Sequence, residues 1–283
     1  MHLLPTFADK ELRAIKPSTV QAWVRGRSES CAPRYVRVML SNLSAILGAA
    51  VEDGLIPTNP CSSRSVRAPA VDIDLIVPWT VEQVGAVVAA HPVAYRAIPL
   101  VAAGCGLRQG EVFGLRVCDV DFLRRRLLVR QQVKLLDGKP VLAPPKGRKT
   151  REVPLANVVG LALAERLRRH PASEDKLVFT TREGGPMNRS YYNHHIWKPA
   201  LRAAGMEPSR ANGIHALRHH YASVLLEAGE SVRALADYLG HSDPGFTLRV
   251  YTHLMPSSAD RARSAVDALL GAAEDWLRTD TAL

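Results

Sequence analysis

A mainly α-helical fold carrying one small antiparallel sheet is what this 283-residue chain predicts, on three observations. Hydrophobic residues make up 47% of it but aromatic ones only 6%, so the core must be built from Leu, Val and Ala, and Ala/Leu-rich stretches favour helix. Along most of the chain apolar residues return every three or four positions, the spacing of one helix face. Alternation of charged and apolar residues, the strand period, is confined to one stretch around an Asp137-Gly138 turn signal. The length suffices for two domains of ordinary size.

Taken in chain order, "KPSTVQAWVRG" opens with Pro17, suited to a first helical turn, and offers Gly26 as a stop, so a short helix is expected there. Val36, Leu40, Leu43, Leu47 and Ala50 then mark a longer amphipathic helix over residues 33 to 53, ending at Gly54. Residues 57 to 78, strung with Pro, Ser and Asn, lack that periodicity and read as an extended linker whose Arg64 and Arg67 suit a phosphate backbone. Thr80, with Gln83 three residues on, is a reciprocal helix cap and opens a second domain. The stretch "RRRLLVRQQVKLLDGKPVLAPPKGRKTREVPL" supplies two or three short antiparallel strands, and helices resume from about residue 155. The closing stretch repeats Ala265, Leu269, Ala272 and Trp276 at helical spacing.

Charge narrows the class. Lys and Arg total 37 against 27 Asp and Glu, a formal +10, and such a surplus points to an anionic partner, of which nucleic acid is the commonest. Arginine outnumbers lysine 29 to 8, which suits bidentate phosphate contacts. Cys31, Cys61, Cys105 and Cys118 form no C-x-x-C pair and read as free thiols of a reducing cytoplasm. No apolar run reaches the roughly 18 to 20 residues of a membrane span, and no signal pattern opens the chain, so a soluble intracellular protein with no membrane partner is expected.

The chemistry-bearing residues gather in "HALRHHYASVLLEAGESVRALADYLGHSDPGFTLRVYTHL", residues 215 to 254, with five histidines. A helical stripe of Leu217, Tyr221, Val224 and Leu225 runs towards Gly229, with His215 and Arg218 one turn apart. A second helix, Ser231 to Leu239, stops at Gly240 and leaves His241 in a turn; Asp243-Pro244 begins a third that leads to Tyr251. A zinc site needs convergent ligands, yet the adjacent His219 and His220 point about 100° apart on a helix. No H-E-x-x-H or matching cysteine pair accompanies them, so no metal is expected. Taken alone, these would be ordinary helix-surface histidines. Upstream, "GCGLRQGEVFGL" puts Arg108 at a helix start, where free N–H groups also favour an anion, and Lys146 sits in the basic turn of "PPKGRKTREVPL".

The order and spacing of Arg108, Lys146, H-x-x-R at 215 and 218, L-G-H ending at 241, and Tyr251 resemble those of the tyrosine recombinases, the phage-integrase family of site-specific DNA recombinases. The likeness covers residues 80 to 256, with "LGHSDPGFTLRVYTHL" its most specific piece; residues 15 to 61 resemble, more weakly, the helical core-binding domain of that family. It implies a helical core-binding domain at 1–62, N-terminally truncated or compact, a basic linker at 63–78, and an α+β catalytic domain at 79–283. The separate arm-site-binding domain that many such integrases carry is not expected among these residues.

By the same resemblance Tyr251 is the nucleophile, Arg108 and Arg218 bind the scissile phosphate, and Lys146 protonates the leaving 5′-oxygen. His215 is the general acid/base partner, His241 hydrogen-bonds the phosphate, and Glu111 supports Arg108. The implied activity is strand cleavage and rejoining through a 3′-phosphotyrosyl bond, without metal, ATP or other cofactor, in the integration or excision of a phage or mobile element. The implied partners are double-stranded DNA at specific sites, gripped from two sides by the two domains and the basic linker; a homotetramer on two duplexes; and accessory directionality or DNA-bending proteins. The helix after Met255 is a candidate for docking on a neighbouring subunit, with a lid over its own chain as the alternative. A type IB topoisomerase, a catalytically silent DNA-binding relic and a metal-dependent nuclease are the competing readings.

The chemistry stands without the family. An attacked phosphodiester gathers charge on its non-bridging oxygens, and two guanidinium forks meet that charge without a metal. A free tyrosine has a pKa near 10, so holding it ionised at pH 7 costs about 4 kcal/mol. A base or a strong cationic field is required, and His215 with the arginines supplies both.

Overall fold

Prolines open the first two long helices. The computed structural model describes residues 2–71, 75–172, 176–254, 263–264 and 266–268. A short α1 (Leu4–Phe7) precedes α2 (Pro17–Ser28) and α3 (Pro33–Glu52), each starting with the residue whose fixed φ and missing N–H suit a first turn. Helix α2 runs on past Gly26, where a stop was expected. Its Val20, Trp23 and Val24 share one core with Val36, Met39, Leu43 and Leu47 of α3, and such packing carries a glycine through a helix. Leu40, expected in that core, is only partly buried, and Met39 takes the inner place.

Residues 59–67 are folded rather than extended. The Asn59 side chain donates to the Ser44 carbonyl at 2.8 Å, Pro60–Ser62 make a 3₁₀ turn, and the Arg67 N–H donates to Gln21 Oε1 at 2.6 Å. These bonds take part of the expected linker, with Arg64 and Arg67 exposed on it, into a first unit spanning Met1–Asp74, beyond the boundary expected at residue 62.

The second unit, Leu75–Leu283, begins with α4 (Val81–Ala90). Its cap is the expected one: the Gln83 N–H donates to Thr80 Oγ1 at 3.3 Å and the Thr80 N–H to Gln83 Oε1 at 2.9 Å. Next come α5 (Ala97–Cys105) and α6 (Gln109–Phe113). The strands are β1 (Val120–Asp121), β2 (Arg126–Val129), β3 (Gln132–Leu136), β4 (Lys139–Ala143) and β5 (Arg151–Pro154). They form two antiparallel sheets where one was expected: β1-β2-β5, and the separate hairpin β3-β4. The reason is burial. Pairing β2 with β5 across the hairpin sets Leu127 opposite Val153, both fully enclosed, whereas Leu135, Leu136 and Leu142 of the hairpin stay exposed. Asp137 and Gly138, at φ 49° and 77°, make the two-residue turn.

Helices then follow: α7 (Asn157–Arg169), α8 (Arg189–Tyr192) continuing through a π-turn into α9 (Lys198–Ala203), α10 (His215–Glu227), α11 (Val232–Leu239) and α12 (Pro244–Tyr251). Ile98, Val101 and Ala102 of α5 lie in one core with Val159 and Leu163 of α7 and Leu217 of α10. The buried face of α10 is turned from the expected stripe: Val224 is exposed, Leu226 is buried, and Arg218 joins the inner face. The helix expected after Met255 lies almost wholly outside the described residues. All four cysteines are unpaired, as expected.

Two glycines fix how the site is assembled. Gly106 ends α5 at φ +64°, and a Cβ there would stand 2.4 Å from Cδ1 of Tyr221 and 3.0 Å from Cδ2 of Leu239. Gly106→Ala is therefore expected to lower stability by about 3 kcal/mol, through backbone strain and overpacking, which thermal unfolding checks. Gly110, inside α6, brings the helix against β3: a Cβ would lie 2.6 Å from the Val133 carbonyl oxygen.

Candidate active site

Arg108 follows directly from the end of α5. Gly106 turns the chain, Leu107 anchors it in the core, and Arg108 becomes the N-cap residue of α6, in extended conformation. One turn on, the buried Glu111 folds back. Its Oε2 accepts from the Arg108 N–H at 2.8 Å and its Oε1 from Arg108 Nη1 at 3.0 Å. The same carboxylate receives a second fork from Arg151 on β5, Nη1 at 3.0 Å and Nη2 at 2.7 Å, while Arg151 Nε donates to the Tyr238 carbonyl at 2.7 Å.

Burial pushes the Glu111 carboxyl up, but Arg151 and Arg108 outweigh it and hold its pKa down to about 2. A carboxyl depressed from 4.5 to about 2 adds stability that is fully present above pH 4.5 and lost as pH falls through 2, roughly 3 kcal/mol in all. Glu111→Ala leaves two cations facing each other with no counter-charge. The expected cost is about 4 kcal/mol, a fall in Tm on the order of 10 °C by calorimetry at pH 7, with the acid-sensitive component gone.

Arg218 enters from α10 and is 1% exposed. Its Nη1 donates to the Gly106 carbonyl at 2.6 Å and its Nη2 to the carbonyl of Leu239, the last residue of α11. Nη2 also lies 3.0 Å from Nε2 of His241. A guanidinium has no acceptor, so Nε2 of His241 accepts. The ring proton is then on Nδ1, which donates to Thr247 Oγ1 at 2.6 Å. Arg108 reaches the adjacent carbonyl, that of Gly240, at 3.4 Å. Arg218 is thus bonded to carbonyls at the C-terminal ends of α5 and α11, and Arg108 to one at the end of α11, the ends where a helix presents partial negative charge. Burial, reinforced by Arg108, still pulls the Arg218 guanidinium down to about 9.

Tyr251, the last residue of α12, is 2% exposed, and its hydroxyl lies 2.8 Å from Nδ1 of His219. The His219 ring meets that of His215 edge-on, 4.7 Å between centroids. Burial raises the phenol to about 12 despite the opposing fields of Arg218 and Arg108. Burial brings both His219 and His241 down to about 4, reinforced by His215 and Arg218 for the first and by Arg218 and Arg108 for the second, so both imidazoles are neutral at pH 7. His215 is shifted in the same direction by desolvation on its protein side and by Arg218, although the side chain is open to solvent. His220, by contrast, bonds the Trp79 carbonyl at 2.7 Å, next to the Trp79–Trp197 stack, and is a structural residue.

Of the six residues expected in the site, Arg108, His215, Arg218, His241 and Tyr251 come together around these helix ends. Lys146 does not join them. It stands exposed in the turn after β4, between the hairpin and β5, with no hydrogen bond or ion pair among the described residues. Arg151 and His219 escape a reading by motif, and each carried a signal. In Arg151-Glu152-Val153 strand alternation puts the arginine on the buried valine's side, and His219 lies four residues, one helical turn, from His215. No group of three or more His, Cys, Asp or Glu placed to hold a metal occurs among the described residues.

A mostly helical unit with small antiparallel sheets matches the catalytic-domain structures of the tyrosine recombinases. The chain belongs to the phage integrase family, whose model matches residues 80–257. It is 28% identical to a tyrosine recombinase XerC-like protein of Caldanaerobacter subterraneus subsp. tengcongensis, over 83% of this chain and 66% of that one. It is 27% identical to the integrase of Mycobacterium phage L5, over 87% and 66%. The chain therefore spans 66% of the length of these relatives. Its fold is similar to that of the Tn1549 transposon integrase in complex with transposon right end DNA, with TM-score 0.76, 22% identity, and coverage of 91% of this chain and 86% of that one. It is also similar to a λ integrase dimer bound to a COC′ core site, with TM-score 0.63 and 16% identity over 87% and 85% of the two chains.

Proposed function

We propose that this protein is a site-specific DNA recombinase that cleaves and rejoins DNA strands through a 3′-phosphotyrosyl bond to Tyr251, in the cytoplasm, to integrate or excise a phage or other mobile element. The observation that carries the reading is the buried Tyr251 hydroxyl, 2.8 Å from an imidazole nitrogen and within the fields of Arg218 and Arg108. The phenol oxygen attacks the phosphorus. Arg108 and Arg218 meet the charge that builds on the non-bridging oxygens, with Glu111 and Arg151 fixing the first of them. His241 hydrogen-bonds the phosphate once its proton is on Nε2, and His215 belongs to the acid/base set. Lys146, carried in on its turn, protonates the leaving 5′-oxygen. The phosphotyrosyl bond keeps the energy of the broken one, so rejoining needs no ATP. No metal or other cofactor takes part.

The helical first unit is the core-binding domain, and together with the basic segment around Arg64 and Arg67 it contacts the duplex backbone in a salt-dependent way. The working assembly is a homotetramer on two duplexes, aided by directionality or DNA-bending proteins. Support for the DNA partner comes from solved structures of similar fold, which are integrases in complex with DNA. The test is covalent trapping on nicked duplexes tiled across the DNA flanking the gene, in EDTA and without ATP. A denaturation-resistant protein–DNA band is expected. Its absence from the whole tiling, or its dependence on a divalent cation, overturns the reading.

A further inference from the structure

We propose that His219 is a catalytic residue, the base that takes the phenolic proton of Tyr251 as its oxygen attacks the scissile phosphate; the inference rests on the recombinase reading above. His215, one turn away, is the residue to which the resemblance gives acid/base work, yet the imidazole in contact with the reacting oxygen is that of His219. Its Nδ1 lies 2.8 Å from the Tyr251 hydroxyl, within the distance at which a proton passes directly. The helix makes this contact possible: His215 and His219 lie four residues apart on α10, and the second of them faces the end of α12 where Tyr251 sits.

Proton and electron pairs balance. The Tyr251 O–H bond breaks and its proton goes to Nδ1 of His219, whose Nε2 already carries the other. The phenol oxygen's electron pair forms the new bond to phosphorus, and the bond from phosphorus to the 5′-oxygen breaks. The 5′-oxygen takes its proton from the general acid, Lys146 in this reading. In rejoining, the 5′-hydroxyl attacks, the phosphotyrosyl bond breaks, and His219 returns its proton to the phenol oxygen.

The surroundings suit the task. The charged and titratable groups facing His219 are His215 on its own helix, Arg218, and Tyr251 from α12. Burial, His215 and Arg218 keep the imidazole neutral, hence an acceptor, at every pH from about 4 upward. The phenol, raised to about 12, does not ionise in advance of attack, so a proton acceptor within reach is needed at that moment.

The experiment compares single-turnover adduct formation on a nicked duplex that traps the wild-type protein, using His219→Ala, His219→Gln and Lys146→Ala. Wild-type protein is expected to cleave at a rate nearly flat across neutral pH. His219→Ala should be at least about 100-fold slower at pH 7, rise with pH as hydroxide replaces the base, and recover in part with added imidazole. Glutamine keeps a hydrogen bond to the phenol but accepts no proton, so it should be equally slow. A 5′-bridging phosphorothiolate, whose sulfur leaves without an acid, should restore Lys146→Ala and leave His219→Ala slow.

If His219→Ala cleaves within a few-fold of wild type with the same pH profile, or if His219→Gln restores the wild-type rate, His219 is not the base. Should the phosphorothiolate restore His219→Ala, the residue serves the leaving group and the assignment is overturned. Failure of the wild-type protein itself to form an adduct sinks the recombinase reading instead, and this inference with it.

Discussion

A protein in which Tyr251 is replaced by phenylalanine is expected to bind its DNA with nearly unaltered affinity and to form no covalent adduct. The ring is 2% exposed and packs at the end of α12, so phenylalanine keeps the apolar contacts and removes only the hydroxyl. The structural cost is the partner lost by His219 Nδ1, about 1 kcal/mol. Affinity for a duplex comes mostly from cations on phosphates, and the substitution changes none. Adduct formation, however, has no substitute for the phenol oxygen. Trapping on a nicked duplex and a gel shift at fixed salt separate the two properties. An adduct that survives the substitution would place the nucleophile on another side chain.

Loss of Arg218 is expected to be nearly as severe for chemistry and worse for the fold. Arg218→Ala removes one of the two forks that meet the phosphate charge, and a drop of about 1,000-fold or more in single-turnover cleavage is expected. It also strands the carbonyls of Gly106 and Leu239 and the Nε2 of His241, all now held by this one side chain. Each buried orphan costs roughly 1 to 3 kcal/mol, so Tm should fall as well. Arg218→Lys distinguishes the two effects. It keeps the charge but lacks the planar fork, so it should regain part of the stability and little of the rate. Cleavage by Arg218→Ala at close to the wild-type rate would remove the residue from the phosphate clamp.

Much of the local structure was legible because it is written in neighbours. The Thr80–Gln83 cap, the stop at Gly240 and the start at Asp243-Pro244 each depend on residues within four positions, and all three stand as expected. The helix-end arginine at 108 and the tyrosine at the close of α12 follow from the same signals. What escaped depends on partners far away. Nothing local says that β2 skips the hairpin to pair with β5, or that Arg151 spans 40 positions to Glu111. The His219 contact joins side chains 32 positions apart, and reading His219 and His220 as a pair hid the turn-apart pair His215 and His219. Gly26 and Val224 went astray because packing sets where a helix stops and which face it buries. Lys146 was placed correctly in its turn, but a motif says nothing of whether such a turn lies against the site.

The way Arg108 and Arg218 are tied to the ends of α5 and α11 bears on the energy of the reaction coordinate. In water, charge building on a phosphate must rotate many loose dipoles into a favourable orientation, and that rotation is part of the barrier. Here the carbonyls of Gly106, Leu239 and Gly240 are locked in helix ends, and the guanidinium groups are locked to them. The pocket acts as a solvent already frozen in the orientation that charge transfer requires, with little left to turn when a duplex arrives.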